Sequence, residues 1–178
     1  MTQPVRLRKL VAFDDVSSFS CGTEEIDDWF RRRAFKGQQL GNANVFVFDH
    51  DGRVLGFYAL ASGGLERSAA PSRVSRNAPD PVPVLLLARL GVDLTAQGRG
   101  IGRRLLQDAL LRSVGIAEQV GFRALLIHCQ DFAARDYYLK QVPGFLPSPT
   151  DELHLLLPMA GLVDFHHSAV QSAPESSH

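Results

Sequence analysis

The chain has 178 residues, 45% hydrophobic and 21% charged, which are values of a folded globular protein and speak against wholesale disorder. Basic and acidic residues both number 19, so the formal net charge is zero and no global field draws the protein to nucleic acid or an anionic membrane. No apolar run approaches the roughly 20 residues of a membrane helix. Arg6, Arg8, Lys9, Asp14 and Asp15 stand where a signal peptide needs apolar residues, and Cys21 and Cys129 lie far apart without metal-ligand spacing. The expectation is a cytoplasmic protein with no disulfide and no metal, folded as one domain over residues 1–163.

Residues 5–13 (VRLRKLVAF) read as a first strand. Thr23 is placed to cap a helix with Glu24 and Glu25 in its first turn. Ile26, Trp29, Phe30 and Arg33 share one helical face, while Asp27 with Arg31 and Asp28 with Arg32 are i,i+4 acid-base pairs on the other. The cluster Arg31-Arg32-Arg33, with Lys36 beyond it, is thereby partly neutralised and reads first as a solvated face. Residues 44–48 (NVFVF) and 53–62 (RVLGFYALAS), joined through Asp51-Gly52, read as a hairpin, with Gly56 tolerating a bulge or a close neighbour. Residues 66–83 carry Pro71, Pro79, Pro81 and Pro83 together with Arg67, Arg73 and Arg76, and read as a long loop of the functional or mobile kind.

The stretch Leu85–Ala109 organises the rest. An apolar strand ends in Val92-Asp93, a polar turn holds Gln97-Gly98-Arg99-Gly100-Ile101-Gly102, and a helix follows with Ile101, Leu105, Leu106, Ala109, Leu110, Val114 and Ala117 as its apolar stripe. Glycines leave the backbone N–H groups of the turn unobstructed, and the helix points its positive dipole end at whatever lies there, which suits a phosphate. Neither the P-loop spacing nor G-x-G-x-x-G is present. Residues 124–129 read as a short buried strand, Asp131 as the cap of a helix running through Ala134 to Lys140, and Leu153–Leu157 as a last strand. Residues 164–178 lack periodicity and read as a disordered tail, in which His166-His167 is only a weak metal pair.

The turn Gln97-x-x-Gly100-x-Gly102 resembles the pyrophosphate loop of the GNAT acetyltransferases. Asp131-Phe132-Ala133-Ala134-Arg135-Asp136-Tyr137-Tyr138, followed by Gly144-Phe145, is similar to the GNAT signature Asn-x-x-Ala-x-x-Phe-Tyr-x-x-x-Gly-Phe, with Asp131 in place of the Asn and a lengthened step to Gly144. Phe19-Ser20-Cys21-Gly22, Val54–Leu60 and Leu87–Asp93 resemble the GNAT toxins of type II toxin-antitoxin modules, over roughly residues 5–160. The resemblance implies an α/β (α+β) fold with a mixed, mostly antiparallel central sheet flanked by helices, acetyl-CoA lying at the splayed strand and the N-terminus of the helix after it. It further implies acetyl transfer to the α-amino group of an aminoacyl-tRNA, a block of translation, a small DNA-binding antitoxin as partner, and the homodimers common among such toxins.

Acetyl transfer to an amine needs a polarised thioester carbonyl, an unprotonated amine and a proton for the departing sulfur. The strand Leu90-Gly91-Val92 offers backbone groups to the pantetheine arm, Gly91 allowing close approach. Gln97, Gly98, Arg99, Gly100, Ile101 and Gly102 offer N–H groups to the pyrophosphate, Arg99, Arg103 or Arg104 add charge, and Asp131 stands where the family contacts pantetheine. Tyr138 stands where the family places its general acid. No general base announces itself; His128 and Cys129 are adjacent on a strand and point to opposite faces. An α-amine with a pKa near about 8 needs less help to lose its proton than a lysine at about 10.4, which favours α-amines. Arg31, Arg32, Lys36, Arg73 and Arg76 are the candidate tRNA-phosphate contacts. A small-molecule amine or a protein N-terminus as acceptor stays open, as does a non-catalytic CoA-binding module.

Overall fold

A computed structural model describes residues 5–172. Two compact units are distinguished in it, one comprising the chain up to Ser62 with Leu86–Ala109, the other Gly63–Leu85 with the chain from Leu110 on.

The first unit opens on β1 (Arg6–Lys9), followed by two helices, α1 (Glu24–Arg32) and α2 (Ala34–Gln39), and the hairpin β2 (Asn44–His50) and β3 (Arg53–Leu65). β4 (Val82–Val92) and α4 (Ile101–Ala117) follow, and with β3 they contribute residues to both units. The strand order here is β1-β2-β3-β4, and β1 with β2 and β2 with β3 are antiparallel. The Asp51-Gly52 turn is as tight as expected, with φ of 54° and 75° at its two residues, the left-handed pair that matches strand twist. The ladder slips between Phe48 and Asp49, so Leu55 is the extra residue of a bulge. Its carbonyl is thereby freed to accept the Asp93 N–H at 2.8 Å. Gly56 meets the expected close neighbour: a Cβ there would lie 2.9 Å from Leu105 Cδ1 and 3.2 Å from Ile101 Cγ2. That glycine lets α4 settle on β3.

The core of this unit gathers Phe19, Phe30, Val45, Val47 and Phe57 with Trp29 at its margin. Phe30 and Phe57 stack at 3.9 Å, and Trp29 lies 6.1 Å from Phe57. Thr23 takes the cap position of α1 without a side-chain bond. Asp27 does not face Arg31 as the i,i+4 spacing suggested. It is buried, and its carboxylate accepts from the Cys21 N–H at 2.7 Å and the Ser20 hydroxyl at 3.2 Å, so α1 is pinned to the turn before it. Asp28 and Arg32 do pair, at 3.1 Å.

In the second unit the Pro-rich segment contains a short helix, α3 (Ser72–Ser75), and is tied down rather than loose. The Arg123 guanidinium donates to the carbonyls of Val74 and Arg76, and the Ser148 hydroxyl donates to that of Ala69 at 2.6 Å. Beyond α4 come β5 (Ala124–His128), α5 (Phe132–Gln141), β6 (Leu146–Pro147), β7 (His154–Pro158) and α6 (Met159–Ser172). The strand order is β5-β7-β6, and both pairings are antiparallel. β6, two residues long, had no readable pattern.

The tail expected from 164 is a correction. Residues 164–172 continue α6, whose Leu162 is fully buried and whose Gly161 lies so close to β7 that a Cβ would come 2.6 Å from Leu157 Cδ1. Residues 173–178 of that expected tail, like 1–4, lie outside the described residues. Among the described residues no helix is long and apolar enough to cross a membrane.

Candidate active site

One group of candidate residues lies at the end of β4 and the turn into α4, all within the first unit. Asp93 is the post around which the turn is built. It is 4% exposed, and its carboxylate accepts from Thr95 Oγ1 at 2.6 Å, the Thr95 N–H at 3.0 Å and the Ser20 N–H at 3.1 Å. These hydrogen bonds and Arg53 nearby outweigh burial and hold its pKa below the ordinary carboxylate value. The amide of Gln97 closes the loop, donating to the Cys21 and Val92 carbonyls at 3.0 Å each. The Gln97 side chain is thus a brace for the turn, and the Val92 carbonyl is already engaged.

Beyond this brace the turn opens. Gly98 and Gly100 have φ of 78° and 79°, a backbone that side chains rarely adopt, and nothing stands within 4 Å of where their Cβ atoms would be. α4 starts at Ile101, so the N–H groups of its first turn have no intrahelical acceptor and face the same opening. Arg99 and Arg103 are exposed and make no hydrogen bond or ion pair among the described residues. Arg104 lies over the Phe48 ring at 5.1 Å instead. Ile101 contributes its N–H only, since its side chain is buried against β3. A pocket of about 370 Å³ lies beside the turn, lined by His50, Asp51, Arg53, Leu55, Thr95 and Arg99. Free N–H groups, positive-φ glycines and two unengaged guanidiniums fit a diphosphate.

Gly91 has a different reason from the one its place suggested. The space its Cβ would take is filled from within, by Phe57 Cε1 at 3.1 Å and Cys21 Cβ at 3.4 Å. It is a packing glycine, and only its backbone, with that of Leu90, remains for an acyl arm. Burial and the Asp27 carboxylate push the neighbouring Cys21 thiol up to about 11, so it is no nucleophile.

A second group of candidate residues lies in the other unit. Asp131 caps α5, accepting from the Ala134 N–H at 2.8 Å, as its place before the helix implied. Tyr138 sits on α5 with its ring edge toward Phe145 at 6.5 Å and Tyr137 at 5.6 Å. Its hydroxyl has no hydrogen-bond partner among the described residues. Burial, with Cys129 and Tyr137 close by, raises its pKa well above that of an ordinary phenol. A half-buried phenol with a free, firmly held proton is suited to donate. Cys129 is buried and its thiol is pushed up to about 11. His128 stacks on His154 at 4.0 Å across β5 and β7, and burial with the neighbouring imidazole keeps it neutral to lower pH than usual. No general base is found on this element.

Of the basic candidates, Arg31, Arg32 and Lys36 are exposed in the first unit, Arg32 tied to Asp28. Arg73 and Arg76 are exposed in the second. Among the described residues no group of three His, Cys, Asp or Glu could hold a metal ion. Sequence reading missed Asp93, Asp27 and the Gln97 brace as framework. The Asp93-x-Thr95 spacing could have signalled the first; nothing separates Asp27 from its acidic neighbours except burial.

The sequence profile of the acetyltransferase (GNAT) domain matches residues 41–141. The chain is 50% identical over 152 residues to a tRNA-acetylating toxin of Mycobacterium tuberculosis, covering 85% of this chain and 90% of that one. Its structure is similar to that of AtaT complexed with acetyl-methionyl-tRNAfMet, with a TM-score of 0.81 at 22% identity, over 92% of this chain and 99% of that one. A mutant AtaT toxin bound to the C-terminus of the antitoxin AtaR and acetyl-CoA is similar with a TM-score of 0.75 at 22% identity, over 90% and 96% of the two chains.

Proposed function

The chain belongs to the GNAT acetyltransferase family, and from that premise we propose that it is a toxin transferring acetyl from acetyl-CoA to the α-amino group of an aminoacyl-tRNA. Kinship with the tRNA-acetylating toxin carries the acceptor assignment. Acetylation of that amine removes the nucleophile of peptide-bond formation, so translation stops at each modified tRNA. The protein acts in the cytoplasm as one catalytic domain that includes α6, with a small DNA-binding antitoxin as its partner.

Acetyl-CoA supplies the acyl group as a thioester. The N–H groups of Gly98 to Gly102, with Arg99 and Arg103, hold its diphosphate, and the Leu90 and Gly91 backbone lies along its arm. Asp131 holds the start of α5 by its cap and stands where the family contacts pantetheine. The Tyr138 hydroxyl gives its proton to the sulfur as the C–S bond breaks and the N–C bond forms. The amine's own proton leaves to water, consistent with an α-amine that is substantially neutral near pH 8.

A small amine or a protein N-terminus is the second reading, favoured by the zero net charge and by the Arg32–Asp28 pair. A merely CoA-binding module has no use for an unpartnered phenol at Tyr138. Transfer from labelled acetyl-CoA onto a total charged-tRNA pool decides among them. Label is expected on the aminoacyl end of a subset of tRNAs. Unmodified tRNA together with a labelled peptide or small amine overturns the toxin assignment.

A further inference from the structure

Arg89 occupies the position on β4 just before Leu90 and Gly91, yet it is a cation where an apolar residue would pack. Its guanidinium lies over the Trp29 ring of α1, 4.5 Å from the ring centre. It is half-buried and makes no hydrogen bond or ion pair among the described residues. Burial depresses its pKa, Glu25 on α1 attracts it and Arg33, at the end of α1, repels it. These neighbours leave one net positive charge at this spot. A guanidinium with its face on an indole keeps its N–H edge free, in the planar fork that matches two oxygens of a phosphate. Leaving such a fork without an acceptor costs stability, and Arg would be a poor choice for this spot on packing grounds alone.

Gly91 and Arg89 both contact the aromatic group around Phe57, since the space at Gly91 is filled by Phe57 and Arg89 rests on Trp29, which stacks on Phe57. Arg89 and Gly91, two residues apart, share the face of β4 that packs on this aromatic group, so the guanidinium is fixed one residue from the Leu90 and Gly91 backbone proposed for the acyl arm. We propose that Arg89, held by Trp29, binds the phosphodiester nearest the aminoacyl ester of the acceptor and so places the α-amine for attack. The inference rests on the aminoacyl-tRNA reading above. It assigns Arg89 to the reacting end of the tRNA, apart from Arg31, Arg32 and Lys36, whose exposed side chains suit more distant phosphates.

The test is steady-state transfer by the full-length protein onto purified charged tRNA, at several salt concentrations, with Arg89→Gln and Arg89→Lys. For Arg89→Gln the KM for charged tRNA is expected to rise about tenfold and its log–log salt slope to flatten by about one, the signature of one lost phosphate contact. The KM for acetyl-CoA should stay within about twofold, the scatter usual for a surface change. Arg89→Lys keeps the charge and loses the stacked fork, so it should keep the wild-type slope with a KM raised about threefold. It also serves if the Gln variant does not fold, as a thermal melt will show. An unchanged tRNA KM in either variant, or a rise shared equally by acetyl-CoA, overturns the assignment. If the wild type leaves charged tRNA untouched, the functional reading itself has failed; if the wild type acetylates it and Arg89→Gln does so equally well, only this inference has.

Discussion

The Tyr138 phenol has one task in the proposed chemistry, to surrender a proton as the thioester breaks, and its surroundings bear on when it can. Burial penalises the phenolate, so the pKa is raised and the proton is retained throughout the neutral and mildly alkaline range. The group that must lose a proton is the substrate amine, near about 8. Acceptor turnover should therefore climb between about pH 7 and 9 and should show no descending limb from Tyr138 there. Tyr138→Phe is expected to lower kcat by about 10²-fold or more while leaving the KM for acetyl-CoA near its wild-type value. A descending limb near pH 8.5 that disappears in the Phe variant would assign the proton to a phenol of lowered pKa, contrary to this environment. Loss of acetyl-CoA binding in the same variant would make Tyr138 a binding residue instead.

At the scale of elements, α5 begins at a carboxylate cap and carries Tyr138 on its second turn. The Asp131 bond to the Ala134 N–H satisfies one of the helix's orphan donors, and a neutral amide can take its place. Asp131→Ala should cost about 1 kcal/mol, a fall of about 2–4 °C in Tm for a chain of this size, and Asp131→Asn much less. Thermal melts of the two variants check this, and equal losses from both would show that the cap is not what holds the helix start. The same element shows what could be read beforehand. Asp131, the Asp51-Gly52 turn and the glycine turn into α4 were legible because each is a local demand, a cap or a positive φ, that only certain residues meet. The length of α6 was not, because its polar outer face, with Asp164, His167 and Ser168, hides a register set by one buried leucine, Leu162, and by Gly161 against Leu157. Asp27 was misread for a related reason. Its i,i+4 spacing to Arg31 is real on a helical wheel, but the chain folds back at Ser20 and Cys21 and offers two donors at closer range.

For the molecule as a whole, charge is the property that decides how an anionic acceptor is found. With 19 basic and 19 acidic residues there is no net field to steer tRNA, so its attraction must come from local clusters and must be sensitive to salt. The glycine turn and the cap of α5 were legible as backbone features; the acceptor surface was not, since a run such as Arg31-Arg32-Arg33 looks the same whether it meets phosphate or water. The structure separates its members. Arg32 is engaged by Asp28 at 3.1 Å, whereas Arg31 and Lys36 are exposed with no ion pair among the described residues. Replacing Arg31, Arg32 and Lys36 together by Gln should then flatten the log–log salt dependence of the tRNA KM by about two, because an arginine already paired releases little when it is lost. A fall of about three would mean that Arg32 leaves Asp28 for phosphate. No change in slope, with tRNA acetylation intact, would move the distant acceptor surface off α1 and α2 and leave Arg73 and Arg76, besides Arg89 at the reacting end, as the remaining basic candidates. The KM for acetyl-CoA, measured in parallel, should not move, since none of the three belongs to the turn proposed to hold its diphosphate.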